Sequence, residues 1–178
     1  MTSYDTARRP TLVIFSGLPG SGKSTVAKAV AHTLRIPYLR IDTIEQALRD
    51  LCGVDVQGEG YRLAYRIAAD NLRLGSSVIA DSCNPIELTR NEWNAVAREA
   101  GAEPLNVEVV CSDVAEHRRR VESRATEVPG LALPTWDEVQ RREYHAWTTD
   151  RLIIDTAHRS VAECAQAVIA RLTARTFA

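Results

Sequence analysis

Residues 17–24 (GLPGSGKS) have the types and the spacing that can surround a chain of phosphates. They match G-x-x-x-x-G-K-[ST] at every fixed position, after a short apolar run and before a stretch of helical periodicity. Glycines allow consecutive backbone N–H groups to face phosphate oxygens, and a helix N-terminus adds partial positive charge. A glycine-rich turn that only packs is the alternative, and this context disfavours it. We expect phosphate binding by Gly17, Pro19, Gly20, Ser21, Gly22, Lys23, Ser24 and Thr25.

Four side chains in and beyond this motif have distinct predicted roles. Lys23, one of only two lysines in the chain, would place its ammonium on the β- and γ-phosphates of a nucleoside triphosphate. The Ser24 hydroxyl would ligate Mg²⁺, and Thr25 would support the α-phosphate. Asp81 follows the apolar residues 78–80 and is not needed as a helix cap, so we predict that it holds Mg²⁺ or its water shell. A role in structuring its loop is the alternative for Asp81.

The elements that must position these side chains are visible as short apolar runs that alternate with segments of helical period. Continuous apolar runs are typical of parallel strands buried on both faces. We therefore predict an α/β fold with helices on both faces of a parallel sheet. The predicted strands cover residues 12–16, 38–41, 77–80, 105–111 and 152–154.

Helix starts are predicted where an N-cap residue is followed three positions later by glutamate. Such pairs begin at Asp42, Asn84, Asp113, Thr135 and Ser160. Residues 126–134 (TEVPGLALP) interrupt the alternation with two prolines and a glycine. We interpret them as a hinged loop within the domain.

Length and composition limit the class of protein. A chain of 178 residues with 45% hydrophobic and 25% charged residues favours one globular domain, predicted at 11–178 after a flexible tail at 1–10. The net charge of −1 gives no overall attraction to nucleic acid or anionic membranes. The four cysteines and four histidines have no metal-ligand spacing, and no apolar run is long enough to span a membrane. We expect a cytoplasmic protein.

With these motifs, residues 11–175 resemble the P-loop kinases of the nucleoside-monophosphate-kinase-like superfamily. That group includes gluconate and shikimate kinases, chloramphenicol phosphotransferases, zeta-toxin-like kinases and polynucleotide 5′-kinase domains. The resemblance implies a three-layer α/β/α P-loop NTPase fold with a five-stranded parallel sheet in the order 2-3-1-4-5. It also implies a helical arginine lid at about residues 118–142, and ATP and Mg²⁺ as cofactors.

The resemblance further implies which residues act on the transferred phosphoryl group. Asp42 would accept the proton of the acceptor hydroxyl, although it is also compatible with a helix cap. Arg120 and Arg124 match an R-x-x-x-R pattern in the lid and, being four apart, are expected on one helix face. A solvated face with a Glu116–Arg120 pair is the alternative. Arg141 and Arg142 are weaker candidates for a further contact.

The acceptor would bind between the second and third strands, in residues 43–75. The predicted helix there carries Tyr61, Arg62, Tyr65 and Arg66, which are spaced to form one face for an anionic or ring-bearing acceptor. Packing aromatics and solvated arginines are an equally open interpretation. Asn84, in the segment DSCNP, is a further candidate for acceptor binding. This segment is closer to kinase-like proteins related to polynucleotide kinases and zeta toxins than to shikimate kinases.

We therefore expect a Mg²⁺-dependent phosphotransferase that moves the γ-phosphate of ATP to a hydroxyl of a small-molecule acceptor. A polynucleotide 5′-hydroxyl kinase is an alternative that the near-neutral charge disfavours, because nucleic-acid binding needs a basic surface. A non-catalytic ATP-dependent switch or ATPase is the other. The expected assembly is a monomer or a homodimer.

Overall fold

The computed structural model describes residues 9–174, and no helix within them is both long and apolar enough to cross a bilayer. Five parallel strands form one sheet in the order β2-β3-β1-β4-β5, which confirms the predicted topology. The strands are β1 (Thr11–Ser16), β2 (Tyr38–Arg40), β3 (Val78–Asp81), β4 (Glu103–Val110) and β5 (Leu152–Asp155). The helices of this part of the chain are α1 (Lys23–Leu34), α2 (Ile41–Cys52), α3 (Glu59–Arg73), α4 (Glu87–Glu99), α5 (Val114–Ser123), α6 (Trp136–Arg141) and α7 (Val161–Ala174).

Both faces of the central strand are buried, which explains its unbroken apolar sequence. Val13 and Phe15 point to one face, where they pack with residues of α1 and α7. Leu12 and Ile14 point to the other face, where they meet α3 and Trp93 of α4. This two-sided burial is what a parallel sheet with helices on both faces requires. It holds the carboxyl end of β1 rigidly at the start of the phosphate-binding motif.

Three of the five predicted helix starts are confirmed. The Asp113 side chain accepts from the Glu116 backbone N–H at 2.9 Å. Thr135 forms a complete capping box with Glu138, and Ser160 exchanges the equivalent hydrogen bonds with Glu163.

The other two predicted starts are wrong. Helix α2 begins two residues earlier than predicted, at Ile41, so Asp42 lies inside the first turn, where its charge still favours the helix N-terminus. Helix α4 begins later, at Glu87 after Ile86. Asn84 instead adopts a left-handed conformation (φ 44°), and its amide donates to Phe15 O at 3.0 Å and Ser16 Oγ at 3.1 Å. It therefore ties the loop after β3 to the end of β1.

The buried Arg90 side chain fastens the chain that follows α6. Its guanidinium stacks over the rings of Tyr144, at 4.8 Å, and Trp147, at 4.1 Å. It also donates to the carbonyl oxygens of His145 at 3.0 Å and Asn84 at 2.9 Å. This clamp joins the end of the predicted lid to the loop after β3.

The predicted N-terminal tail is only partly described. Residues 1–8 lie outside the described part of the chain. Pro10 is joined to the sheet, because its carbonyl oxygen accepts from the Glu103 backbone N–H at 2.9 Å.

Trp93 is the largest fully buried side chain, so its truncation tests the core beneath the site. We expect Trp93→Ala to lower the free energy of unfolding by about 3–5 kcal/mol, because it removes apolar contacts and leaves a cavity. Chemical denaturation followed by circular dichroism measures the loss. The matched control on the same helix is Leu88→Ala, at a position 62% exposed, which should shift stability by less than about 0.5 kcal/mol. Equal effects of the two variants would contradict this packing.

Candidate active site

The loop between β1 and α1 approaches its neighbours so closely that two positions require glycine. A Cβ on Gly17 (φ 144°) would lie 2.3 Å from Val109 O, and one on Gly20 (φ 84°) would lie 2.4 Å from Val121 Cγ2. Both contacts are well inside van der Waals distance. Gly17 N also donates to Cys83 O at 3.1 Å, which fastens the loop to the end of β3.

The start of α1 is suited to an anion. Among the described residues, no side chain caps this helix and no acidic residue lies in its first turn. Backbone N–H groups at such an end, together with the helix dipole, attract phosphate. The predicted residues from Gly17 to Thr25 thus form the loop after β1 and the first turn of α1 at the carboxyl edge of the sheet, with Gly22 as the left-handed N-cap.

Lys23 and Asp81 form a buried ion pair at the centre of the site. Lys23 Nζ lies 2.6 Å from Asp81 Oδ1, and the two side chains are 8% and 0% exposed. Tyr38 donates its hydroxyl to Asp81 Oδ2 at 2.5 Å. Burial alone would lower the pKa of Lys23, but the Asp81 carboxylate outweighs it and raises that pKa. Burial likewise opposes the ionised form of Asp81, yet the Lys23 ammonium keeps the pKa of Asp81 below its usual value.

The two predicted magnesium ligands are brought together at this pair. Lys23 Nζ contacts the Ser24 hydroxyl at 3.4 Å while it binds Asp81. A hydroxyl and a carboxylate beside a phosphate loop offer the hard oxygen ligands that Mg²⁺ prefers. The donor set therefore fits the ion, and Ser24 and Asp81 are the residues that would hold it or its water shell.

Arg120 lies beside the phosphate loop and is held there by a threonine. Its guanidinium donates to Thr156 Oγ1 at 2.7 Å and pairs with Glu116 Oε1 at 2.6 Å, so the Glu116–Arg120 pair is present. Thr156 Oγ1 in turn donates to Ser21 O at 2.7 Å. An Arg120 nitrogen would be 3.6 Å from a Cβ on Gly22. The lid helix and the phosphate loop are therefore connected through Thr156.

Arg124 is not on the same helix face as Arg120, which corrects the prediction. Helix α5 ends at Ser123, and Arg124 follows it in an extended conformation (ψ 143°). Its Nε and Nη2 atoms are buried and have no hydrogen-bond partner in the described structure. Burial lowers the pKa of this guanidinium, and Cys83, Asp42, Arg40 and Arg142 are the groups that act on its charge. Arg124 therefore lines the same cavity as the phosphate loop and Asp42, but from the extended chain after α5.

A cavity of about 680 Å³ lies between the phosphate loop, α2 and the lid. Three acidic residues line it, namely Asp42, Glu45 and Glu127. Seven basic residues line it as well: Lys23, Lys28, Arg40, Arg120, Arg124, Arg142 and Arg159. Although the whole chain carries a net charge of −1, this cavity is strongly basic. Such a local excess of positive charge favours anionic ligands.

The loop of the lid lines this cavity, and Glu127 joins that loop to α1 and β2. Glu127, in the loop between α5 and α6, accepts from Lys28 Nζ at 2.7 Å and from Arg40 Nη1 at 3.3 Å. The Lys28–Glu127 pair is half exposed, so we expect it to contribute only about 0–1 kcal/mol. An ion pair of this strength would not prevent the loop of the lid from opening.

The predicted acceptor face of α3 does not reach the cavity. The Tyr65 ring packs edge-on against Trp93 at 4.5 Å, and its hydroxyl donates to Glu92 at 2.9 Å. Tyr61 packs against the same core cluster, beside the loop after β3. Arg62 and Arg66 are exposed and do not line the cavity. The spacing of these residues is helical as predicted, but their face turns to the core and to solvent.

The residues near the site that were not identified from the sequence include Thr156, His117 and Arg40. Thr156 and His117, whose Nε2 lies 2.9 Å from Pro19 O, depend on long-range contacts that leave no local pattern. Arg40 has one usable signal, because it directly precedes the carboxyl end of a predicted strand and stands two positions before Asp42.

The buried Lys23–Asp81 pair generates a stability prediction. Asp81→Asn should lower the free energy of unfolding of the nucleotide-free protein by about 3–5 kcal/mol, because it leaves the Lys23 charge buried without its partner. The double variant Lys23→Met/Asp81→Leu should regain most of that loss. Urea denaturation measures both. The control Arg118→Gln removes an exposed ion pair with Glu122 and should cost less than about 1 kcal/mol.

The same pair sets a pH window. The lowered pKa of Asp81 stabilises the fold above about pH 4, where an unfolded aspartate is ionised. The raised pKa of Lys23 stabilises the fold below about pH 10, where an unfolded lysine is protonated, so the pair contributes fully between these two values. The contribution is lost as pH falls through the pKa of Asp81 or rises through that of Lys23. A wild-type and Asp81→Asn difference that does not shrink at either extreme would contradict the pairing.

The chain is similar to known kinases in part of its sequence and in its fold. The chain is 41% identical to adenylate kinase 1 of Synechocystis sp. over 64 residues, which are 35% of this chain and 34% of that protein. The chain thus matches only about a third of that relative. The structure of APS kinase CysC from Mycobacterium tuberculosis in complex with AMPPNP and APS has a TM-score of 0.67 at 24% identity, covering 93% of this chain and 99% of that one. A gluconokinase from Sinorhizobium meliloti gives 0.66 at 18% identity, with 95% of each chain covered.

These structural similarities, at less than 25% identity, establish the fold. The family model described as "AAA domain" (AAA_33) matches residues 12–146, which include the phosphate loop, Asp81 and the whole lid. The chain therefore belongs to the AAA_33 family and has the P-loop kinase-like fold.

Proposed function

We propose that this protein is an ATP-dependent kinase that transfers the γ-phosphate to a hydroxyl of a small molecule with the help of Mg²⁺. The observation that carries the proposal is one cavity that contains both the phosphate loop, with Lys23 and Ser24, and the carboxylate of Asp42. A site that only bound nucleotide would not need an acid on the opposite wall. The adenylate kinase, APS kinase and gluconokinase similarities support a kinase without identifying the acceptor.

The donor half of the reaction belongs to the phosphate loop. Backbone N–H groups of the loop and of α1 bind the phosphate oxygens, and Lys23 leaves Asp81 to contact the β- and γ-phosphates. Mg²⁺, held by Ser24 and Asp81, supplies charge neutralisation on the phosphate oxygens when bound. Arg120, beside Gly22, places a planar guanidinium where charge spreads over the transferred group.

The acceptor half belongs to Asp42. Its side chain is 42% exposed and lines the cavity, so it is accessible to an acceptor hydroxyl. The acceptor oxygen forms a bond to the γ-phosphorus, the bond from that phosphorus to the β–γ bridging oxygen breaks, and the hydroxyl proton passes to Asp42. ADP leaves with the electron pair of the broken bond. The lid loop excludes water during transfer, which limits simple hydrolysis of ATP.

Asp42→Asn separates transfer from nucleotide binding. We expect the rate constant of transfer to fall about 10²–10⁴-fold, because the amide cannot accept the proton. Affinity for Mg–AMPPNP, measured by isothermal titration calorimetry, should stay within about twofold, since among the described residues the ion pair of Asp42 is with Arg40 and not with the phosphate loop. The assay follows ADP formation with a panel of alcohols, sugars and nucleosides.

Two comparisons make this experiment decisive. Asp70→Asn, an exposed carboxylate on α3 outside the cavity, should leave transfer unchanged. Lys23→Ala should abolish nucleotide binding itself. Tight nucleotide binding with no transfer to any member of the panel would reject the kinase and favour a nucleotide-dependent switch. Wild-type transfer rates in Asp42→Asn would instead reject Asp42 as the proton acceptor.

A further inference from the structure

We propose that the acceptor carries an anionic group (phosphate, sulfate or carboxylate) next to its reactive hydroxyl, and that Arg40, Arg124 and Arg142 bind this group. The inference rests on the proposed function and specifies the class of acceptor. It concerns the half of the cavity beside Asp42, away from the phosphate loop.

The first argument is that two of these arginines have unused hydrogen-bond donors. Nε and Nη2 of Arg124 and Nε of Arg40 are buried and have no hydrogen-bond partner within the described residues. A buried donor without a partner costs about 1–3 kcal/mol, and more when it is charged. Nitrogens left in this state at the wall of a cavity indicate a ligand that supplies the missing acceptors. Guanidinium groups bind planar or tetrahedral oxyanions through two parallel hydrogen bonds.

The second argument is that the lid arginines are divided between the two halves of the cavity. Arg120 is engaged by Thr156 and Glu116 next to the phosphate loop. Arg124 has no such partners for its Nε and Nη2 atoms among the described residues, and it lines the cavity together with Arg40, Arg142 and Asp42. Asp42 and Glu127 offset only part of the charge of these three guanidinium groups, so a further anion among them is favourable. In the proposed reaction the phosphates of ATP bind Lys23, Arg120 and the N–H groups of the loop. We therefore assign the anion near Arg124 to the acceptor.

The third argument is that Arg40 already binds a carboxylate of the chain itself. Glu127 accepts from Arg40 Nη1 at 3.3 Å, although its own side chain is 63% exposed. Arg40 Nε also lies 3.7 Å from Asp42 Oδ2, too far for a hydrogen bond. An acceptor anion on Arg40 would therefore compete with Glu127 and be adjacent to Asp42. Hydroxyl and anion are thus expected within one small molecule.

Matched acceptors test this specificity directly. Glycerol is compared with glycerol 3-phosphate and glycerate, and ribose with ribose 5-phosphate, at saturating ATP. We expect kcat/KM for at least one anionic member to exceed that of its neutral partner about ten- to hundredfold, the value of one or two charge-assisted hydrogen bonds. Arg40→Gln and the exposed Arg142→Gln should each remove most of this preference while the affinity for Mg–AMPPNP stays within about twofold.

The control variants distinguish the subsite from general changes in charge. Arg119→Gln, an exposed arginine on the same lid helix as Arg120, should retain the full preference. Glu127→Gln removes the competing carboxylate and should strengthen anion binding. Equal kcat/KM for neutral and anionic partners, or an equal loss in Arg119→Gln and Arg40→Gln, would overturn the proposal.

A binding experiment separates this inference from the proposed reaction. With the donor site saturated by Mg–AMPPNP, inorganic phosphate and sulfate are titrated calorimetrically into wild type, Arg40→Gln and Arg142→Gln. Binding to wild type that is weakened at least about tenfold in both variants supports the subsite even if no acceptor is phosphorylated, in which case only the kinase proposal fails. No binding to the nucleotide-loaded wild type, together with transfer to neutral hydroxyls, would reject the subsite and leave the kinase standing.

Discussion

The ion pair between Lys23 and Asp81 joins the two segments on which the site depends. The residues are 58 positions apart, and each would be an expensive isolated charge in the interior. Paired, and with Tyr38 from β2 on the second carboxylate oxygen, they hold the ends of three neighbouring strands in register. The phosphate loop, the magnesium ligands and the wall that carries Asp42 therefore have fixed relative positions before any ligand arrives.

Charge is distributed unevenly to serve this arrangement. The chain is almost neutral overall, but seven of its 22 lysines and arginines line one cavity, together with only three carboxylates. Most of those carboxylates have a second task, since Glu127 fastens the lid and Asp42 lies at the start of α2, where the helix dipole favours it. Five of the seven basic residues of the cavity are arginine, which keeps its charge when half buried and binds oxyanions through fixed geometry.

The sequence was informative wherever a local pattern determines the structure. The glycines and Lys23 of the loop, the apolar runs of the strands and the caps at Asp113 and Thr135 all act through near neighbours, so spacing was sufficient. The predictions failed where a helix boundary, or a contact with a residue distant in the sequence, determines the position of a side chain. Arg124 was expected on helix α5, but this helix ends at Ser123. The side chain of Arg124 therefore does not share a helix face with Arg120.

Tertiary contacts explain the other differences. Tyr65 has the spacing of a ligand-binding face, but only the packed structure reveals that Trp93 occupies that side of α3. Asn84 has the sequence context of a helix cap, yet its amide is required by the backbone of β1. Thr156 connects the lid to Ser21 of the phosphate loop, 135 positions away in the sequence. Local sequence patterns cannot predict a contact between residues so far apart.

Arg90 gives the lid a mechanical limit. Because the stacked rings of Tyr144 and Trp147 fix the chain immediately after α6, and α5 is fixed before it through Thr156, the intervening segment behaves as a strap anchored at both ends. Its span, rather than a hinge angle, determines how large a molecule can enter beneath it. Lengthening the segment 126–134 would enlarge the entrance of the cavity without disturbing the sheet. An insertion in this loop would therefore allow a larger acceptor to enter.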